Sequence, residues 1–250
     1  MEPELSDRAS VGSFSAAGST LVAESEGTGR TTFVLVHGIG MGRSVFADAA
    51  SRLTAHGRVI AVDLPGYGEA PEPARTPAIE RMADLVAAYL VARVPGRVVL
   101  IGHSMGSQVA LEVVARHPGL VDRLVLAAPT VDRRARRPLA QILRLARDLM
   151  REHPEVILAG AREYVRAGPH LRRKFRAMLA HRPEASWARV GVPTLVLRGA
   201  DDPVCPEPWC RAVAQGIPDA RLEHIPDRGH ETMIRDAAPA VARIVAFARP

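Results

Sequence analysis

Lysine is almost missing from this chain of 250 residues: Lys174 stands alone, and 32 of the 33 basic side chains are arginine. A formal net charge of +6 raises the question of nucleic acid. An arginine bias this extreme points to GC-rich coding rather than to selection for phosphate contacts. The charge is also uneven. Residues 130–190 carry fourteen arginines and Lys174 against six acids, a net of +9, which leaves −3 on the rest. The expectation is a basic segment set into a slightly acidic body and no nucleic-acid partner. A solvated helical face accounts for that charge. Attraction for acidic substrates, carriers or membrane surfaces is the alternative.

Cysteine is nearly as scarce. Cys205 and Cys210 lie five apart, too few for a disulfide framework and without metal-ligating neighbours in sequence. They read as two reduced thiols near a loop and a helix start. No apolar run approaches the ~20 residues of a membrane span. The segment MEPELSDRASVGSFSAAG has early acids and no apolar core, so it does not read as a secretory signal. A cytoplasmic protein without stable membrane insertion is expected. The histidines show no ligand spacing, and the glycines of GIGMG follow the wrong residues for a dinucleotide site, so neither metal nor organic cofactor is expected. Repeats and low-complexity tracts are absent, apart from an arginine-rich stretch after residue 130.

The periodicities that remain alternate between strand and helix. Val11–Ala16 and Thr20–Glu24, with Ala17-Gly18 between, read as a hairpin. Buried strands follow at Thr32–Val36, Val59–Val62, Val98–Ile101, Arg123–Ala127, Thr194–Leu197 and Arg221–Ile225. Helices read at Val45–Ala55, from Pro77 to about Val94 with Thr76 as cap, after Ser104, at Pro208–Gln215 and at Asp236–Phe247. Residues 130–190 break the rhythm, with helices expected at Leu139–Arg151, Pro154–Arg166 and Leu171–His181. Short buried strands alternating with helices mean a mostly parallel sheet covered on both faces. Reactive groups then gather in loops beyond the carboxyl ends of the strands.

Three of those loops carry chemistry. Residues 98–117, VVLIGHSMGSQVALEVVARH, read as strand, sharp turn and helix with Ser104 at the apex. Gly102 and Gly106 suit a turn that brings strand and helix backbones together. The next strand ends lead to RGADDPVCP and to PDRGHET. The order is serine, acid, histidine. A serine hydroxyl attacks at neutral pH only if a base takes its proton, and histidine offers one nitrogen to the serine and another to an orienting carboxylate.

These residues resemble the α/β-hydrolase superfamily over essentially the whole chain. HGIG at His37–Gly40, DLPGYGEA at Asp63–Ala70, GHSMG at Gly102–Gly106, and GADDPVCP with RGHE carry the likeness. The resemblance implies an eight-stranded, mostly parallel sheet with an antiparallel second strand, helices on both faces, and a helical cap between strands six and seven. Residues 130–190 would be that cap, and 1–129 with 191–250 the core. It also implies Ser104, Asp202 and His230 as catalytic residues and the Ile39 and Met105 amides as the oxyanion hole. The resemblance places the acid three residues after a glycine and four before a proline, and Gly199 and Pro206 then select Asp202, with Asp201 and Asp132 as alternatives. His37, Gly38, His103, Leu139 and Leu143 are candidate pocket walls, and Asp63 is expected to hold the shape of its loop. Ser107 stands where many relatives carry Gly, a change expected to affect helix packing.

A serine nucleophile argues against the epoxide and haloalkane branches, which attack with a carboxylate. Acyl transfer to water remains. The substrate expected is a small carboxylic ester, thioester or lactone with an apolar acyl or aromatic part. Carbon–carbon bond hydrolysis and lyase or cyclase chemistry use the same residues, and a ligand-binding protein on a hydrolase scaffold is the non-enzymatic alternative.

Overall fold

The computed structural model describes residues 9–149 and 170–249. Eight strands form one sheet: β1 (Ser10–Ala16), β2 (Ser19–Glu26), β3 (Thr31–Val36), β4 (Arg58–Asp63), β5 (Arg97–His103), β6 (Arg123–Ala127), β7 (Thr194–Gly199) and β8 (Ala220–Ile225). Their order is β1-β2-β4-β3-β5-β6-β7-β8. β2 runs antiparallel to β1 and β4, and every other pairing is parallel. The β1–β2 hairpin closes on Ala17 and Gly18, both at positive φ, as a two-residue turn requires to match strand twist.

Period-two alternation sorts the strand side chains between two cores. Val34, Val36, Leu100, Leu126 and Val196 pack beneath α2 (Ile79–Arg93) and α3 (Met105–Arg116) on one face. Phe33, Leu35, Ile101, Val125 and Leu197 pack with α1 (Ala47–Leu53) on the other. Between β6 and β7 the described residues hold no strand. They form α4 (Pro138–Leu149), α5 (Leu171–Ala180) and three short 3-10 turns, Arg133–Ala135, Pro183–Ala185 and Trp187–Arg189. The helix expected over 154–166 lies outside the described residues. Two further helices, α6 (Glu207–Gly216) and α7 (Ala238–Ala248), complete the fold, α6 beside α3 and α7 beside α1. Among the described residues no helix is long and apolar enough to cross a membrane.

Two details differ from the sequence reading. α2 starts at Ile79 with extended Ala78 at its N-cap, and no side chain caps it. Thr76 lies two residues before that N-cap, out of reach of the first-turn amides, and its hydroxyl is buried without a partner. α7 starts at Ala238, two residues later than read, because Asp236 sits at positive φ and pairs with Arg228. In the arginine-rich stretch after residue 130, Arg136 grips the Glu184 carboxylate with two nitrogens at 2.8 and 2.9 Å.

The sheet also explains where reactive loops meet. From β3 the chain steps to β4 on one side and then to β5 on the other. Loops leaving β3 and β5 therefore diverge from neighbouring strand ends, with Val36 paired to Gly102, and open the crevice in which such sheets bind ligands.

Candidate active site

Ser104 joins β5 directly to α3 and sits at φ 54°, ψ −120°. A side-chain-bearing residue adopts that conformation only under strain, and here the turn leaves no alternative. A Cβ on Gly102 would collide with the Gly106 carbonyl, and one on Gly106 with the carbonyl of Val36. Both positions must be glycine for strand and helix to approach this closely. The Ser104 amide is spent on the Ala127 carbonyl at 2.9 Å, which ties the turn to β6.

His230, from the loop after β8, reaches this serine. Its Nε2 lies 2.9 Å from Ser104 Oγ, and its Nδ1 lies 2.9 Å from Asp202 Oδ2. The other carboxylate oxygen, Oδ1, accepts from the amides of Val204 at 2.7 Å and Cys205 at 2.9 Å. Burial opposes ionisation of Asp202, but the charge and hydrogen bond of His230 and the two amides outweigh it and hold the carboxyl below its usual range. Asp202 thus stays an anion and an acceptor, so His230 keeps its proton on Nδ1 and turns a bare Nε2 to the serine. The alternatives lie elsewhere. Asp201 is exposed on the same loop. Asp132 caps a turn through the Arg134 amide and pairs with Arg144 at 2.9 Å.

The β3 loop closes over the same point. A Cβ on Gly38 would lie 3.1 Å from Ser104 Cβ, so this backbone runs against Ser104, with Ile39 half-buried beside it. His37 fixes the loop: Nε2 accepts from the Leu64 amide at 3.1 Å, and Nδ1 donates to the Gly38 carbonyl at 2.7 Å. Tyr67 stands edge-on to His37 at 5.0 Å and brings its hydroxyl to 3.5 Å from Met105 Sδ. Asp63 holds its own loop, accepting from the amides of Arg43 at 2.5 Å and Glu69 at 3.0 Å and from the Arg43 guanidinium.

Not every expected pocket wall is one. His37 and His103 are wholly buried and present no surface to a ligand. The reason is that both rings are consumed in holding loops. His103 Nε2 donates to the His230 carbonyl at 2.8 Å, fixing the loop that carries His230. Burial, followed by repulsion from His230, pushes the His103 pKa down to about 4, so the ring stays neutral. Leu139 and Leu143 stand on α4 at 68% and 61% exposure, turned to solvent.

Several residues here escaped the sequence reading. Arg198, buried at the end of β7, donates to the carbonyls of Cys205 and Ala200 at 2.9 Å and of Asp202 at 3.3 Å, and so folds the acid loop around itself. A charged side chain inside the apolar strand TLVLRG was its signal. Ser107 is more than a packing change: its hydroxyl donates to the Ser104 carbonyl at 2.5 Å.

Asp202, Cys205 and His230 bring ligand-type atoms within 4.8 Å of one another. They suit a metal poorly. Binding would strip the Nδ1 proton that joins His230 to Asp202. It would also need the Cys205 thiolate, whose pKa is driven well above normal by burial and then by the Asp202 charge.

A strained serine at a strand–helix turn, joined through a histidine to a buried carboxylate on this sheet, invites comparison with known proteins. The model of the alpha/beta hydrolase family matches residues 33–244. The chain belongs to the α/β-hydrolase family. It is similar to the AB hydrolase superfamily protein YisY of Bacillus subtilis (strain 168), 28% identical over 238 residues, 84% of this chain and 88% of that protein. A pimeloyl-[acyl-carrier protein] methyl ester esterase of Chromobacterium violaceum is 30% identical over 224 residues, 79% of this chain and 86% of that protein. Among solved structures, a thermophilic esterase from Thermogutta terrifontis superposes with a TM-score of 0.79 at 24% identity, covering 96% of this chain and 97% of that one.

Proposed function

We propose that this α/β-hydrolase is a serine esterase that cleaves carboxylic esters through an acyl-serine intermediate. The observation that carries the reading is the continuous path from Asp202 through His230 to Ser104, with both links at 2.9 Å. As Ser104 Oγ attacks the ester carbonyl, His230 Nε2 takes its proton. Asp202 stabilises the imidazolium that results. The amides of Ile39 and Met105 receive the oxyanion, each such donor being worth roughly 10²–10³ in rate. His230 then protonates the departing alcohol, and a water that it deprotonates releases the acid.

The pimeloyl ester esterase among the relatives supports an ester, and thioesters and lactones would pass through the same steps. Residues 130–190 form the cap in this reading and set the choice of a small substrate with an apolar acyl or aromatic part. The two free, buried thiols suit a cytoplasmic setting. A fluorophosphonate probe, with the adduct located by mass spectrometry, and hydrolysis of short and medium nitrophenyl esters test the proposal beside Ser104→Ala and His230→Ala. Labelling at Ser104 that needs His230, with turnover lost in both variants, is expected. A wild type that neither labels nor differs from the variants would refute it.

A further inference from the structure

The one lysine of the chain is wholly buried, at 1% exposure, which is an expensive place for an ammonium unless each N–H finds a partner. Lys174 projects from α5 onto the loop after β4. There its Nζ donates to the Gly66 carbonyl and to Glu72 Oε2 at 2.7 Å, and it lies 4.5 Å from the centre of the Tyr67 ring. Two acceptors and an aromatic face satisfy the charge. The same ring stands against His37 and touches the Met105 sulfur through its hydroxyl. His37 in turn holds the turn that runs against Ser104. A single ammonium on one side of Tyr67 therefore meets both oxyanion elements on the other.

We propose that Lys174 is a positioning residue. It fastens α5 to the β4 loop, fixes the Tyr67 ring, and through that ring sets the Met105 amide and the His37–Gly40 turn. The proposal rests on the acyl-transfer reading above. It differs from a merely stabilising ion pair in what it predicts: loss of Lys174 lowers kcat and leaves KM, and the loss runs through Tyr67.

The test is a double-mutant cycle with Lys174→Met, Tyr67→Phe and their combination, using nitrophenyl ester kinetics. Each single change is expected to lower kcat about tenfold with KM within about twofold, and the double change to lose little more than the worse single. Losses that multiply to about a hundredfold, or a change confined to KM, overturn the positioning role. A second readout needs no catalysis and no buried substitution. Lys174 carries the only ε-amine, so an amine-acetylating reagent followed by mass spectrometry reports on this contact alone. Native protein is expected to acetylate at Lys174 at least about a hundredfold more slowly than unfolded chain, and Glu72→Gln to shorten that protection. Native labelling at the rate of the unfolded chain overturns the clamp. A wild type inert both to esters and to the fluorophosphonate removes the acyl-transfer reading and the positioning role with it, while the amine rate still decides whether the clamp exists.

Discussion

His103 offers a prediction whose size follows from its surroundings. Its Nε2 is committed as a donor to the His230 carbonyl, so a second proton must go to Nδ1. That atom is buried with no hydrogen-bond partner, and the His230 ring is centred 5.2 Å away. Protonation would place a charge in the core with nothing to receive it, and the pKa falls from an ordinary 6.5 to about 4. Between those values the unfolded chain binds a proton that the folded chain refuses. Stability contributed by the neutral ring is therefore intact above about pH 6.5, declines as acid is added, and is gone below about pH 4. At about 1.4 kcal/mol per tenfold difference in proton affinity, the full loss is about 3 kcal/mol. His103→Gln is the control, because its amide can donate to the same carbonyl and cannot titrate. Urea unfolding of both proteins between about pH 7 and pH 4 should show the wild type losing about 3 kcal/mol relative to the variant. Parallel curves, with the difference constant across that range, would refute the reasoning.

Asp202→Asn keeps the shape of the acid loop but removes the anion that selects the His230 tautomer. kcat for nitrophenyl esters should fall about 10³–10⁴-fold with KM little changed, and a loss below tenfold would contradict the role of Asp202. Arg198→Met takes this donor from three carbonyls, two of them in buried contacts. Urea unfolding should show about 2–4 kcal/mol lost, with kcat falling as the Asp202 loop relaxes. Cys205 and Cys210 are fully buried, and both thiol pKa values are raised, by burial first and then by Asp202. Iodoacetamide at neutral pH should label neither until urea opens the fold, and rapid native labelling with loss of activity would show the site far more open than this.

The elements were legible because alternation and turn chemistry are local. Phe33-Val34-Leu35-Val36 announces a strand buried on both faces, and Ala17-Gly18 a tight hairpin. Gly102 and Gly106 announce the turn at Ser104 because only a close backbone approach excludes a side chain at both positions. The family's spacing from Gly199 and Pro206 pointed to Asp202, the carboxylate that lies against His230. The misreadings come from the same locality. Thr76 had the chemistry of a cap, but the helix begins only at Ile79, beyond its reach. His37 and His103 looked like pocket walls because they flank reactive residues in sequence. Yet their partners, Leu64 and His230, lie 27 and 127 residues away, and those partners bury them. Arg198 and Lys174 were visible only as anomalies, a charge in an apolar strand and a lysine among arginines. What each one clasps depends on how distant loops meet.

The helix behind Ser104 shows why these distant contacts belong to one design. α3 begins at the strained Ser104 and turns polar side chains toward the 130–190 segment. Gln108 Nε2 donates to the Met178 carbonyl at 3.2 Å. One turn further, Glu112 is buried and its Oε1 accepts from His181 at 3.0 Å and from Ser186 at 2.5 Å. An uncompensated carboxylate at that depth would be costly, so residues 178–186 must stay seated whenever α3 is in place. Residues 178–186 are thereby pinned to the helix that Ser104 begins. Lys174, one turn before Met178, is where α5 next touches the core, through Gly66, Glu72 and Tyr67. Both anchorages lie on one unbroken helix, so α5 is held to the core as a unit, by the β4 loop through Lys174 and by α3 through Met178 and the residues that follow it.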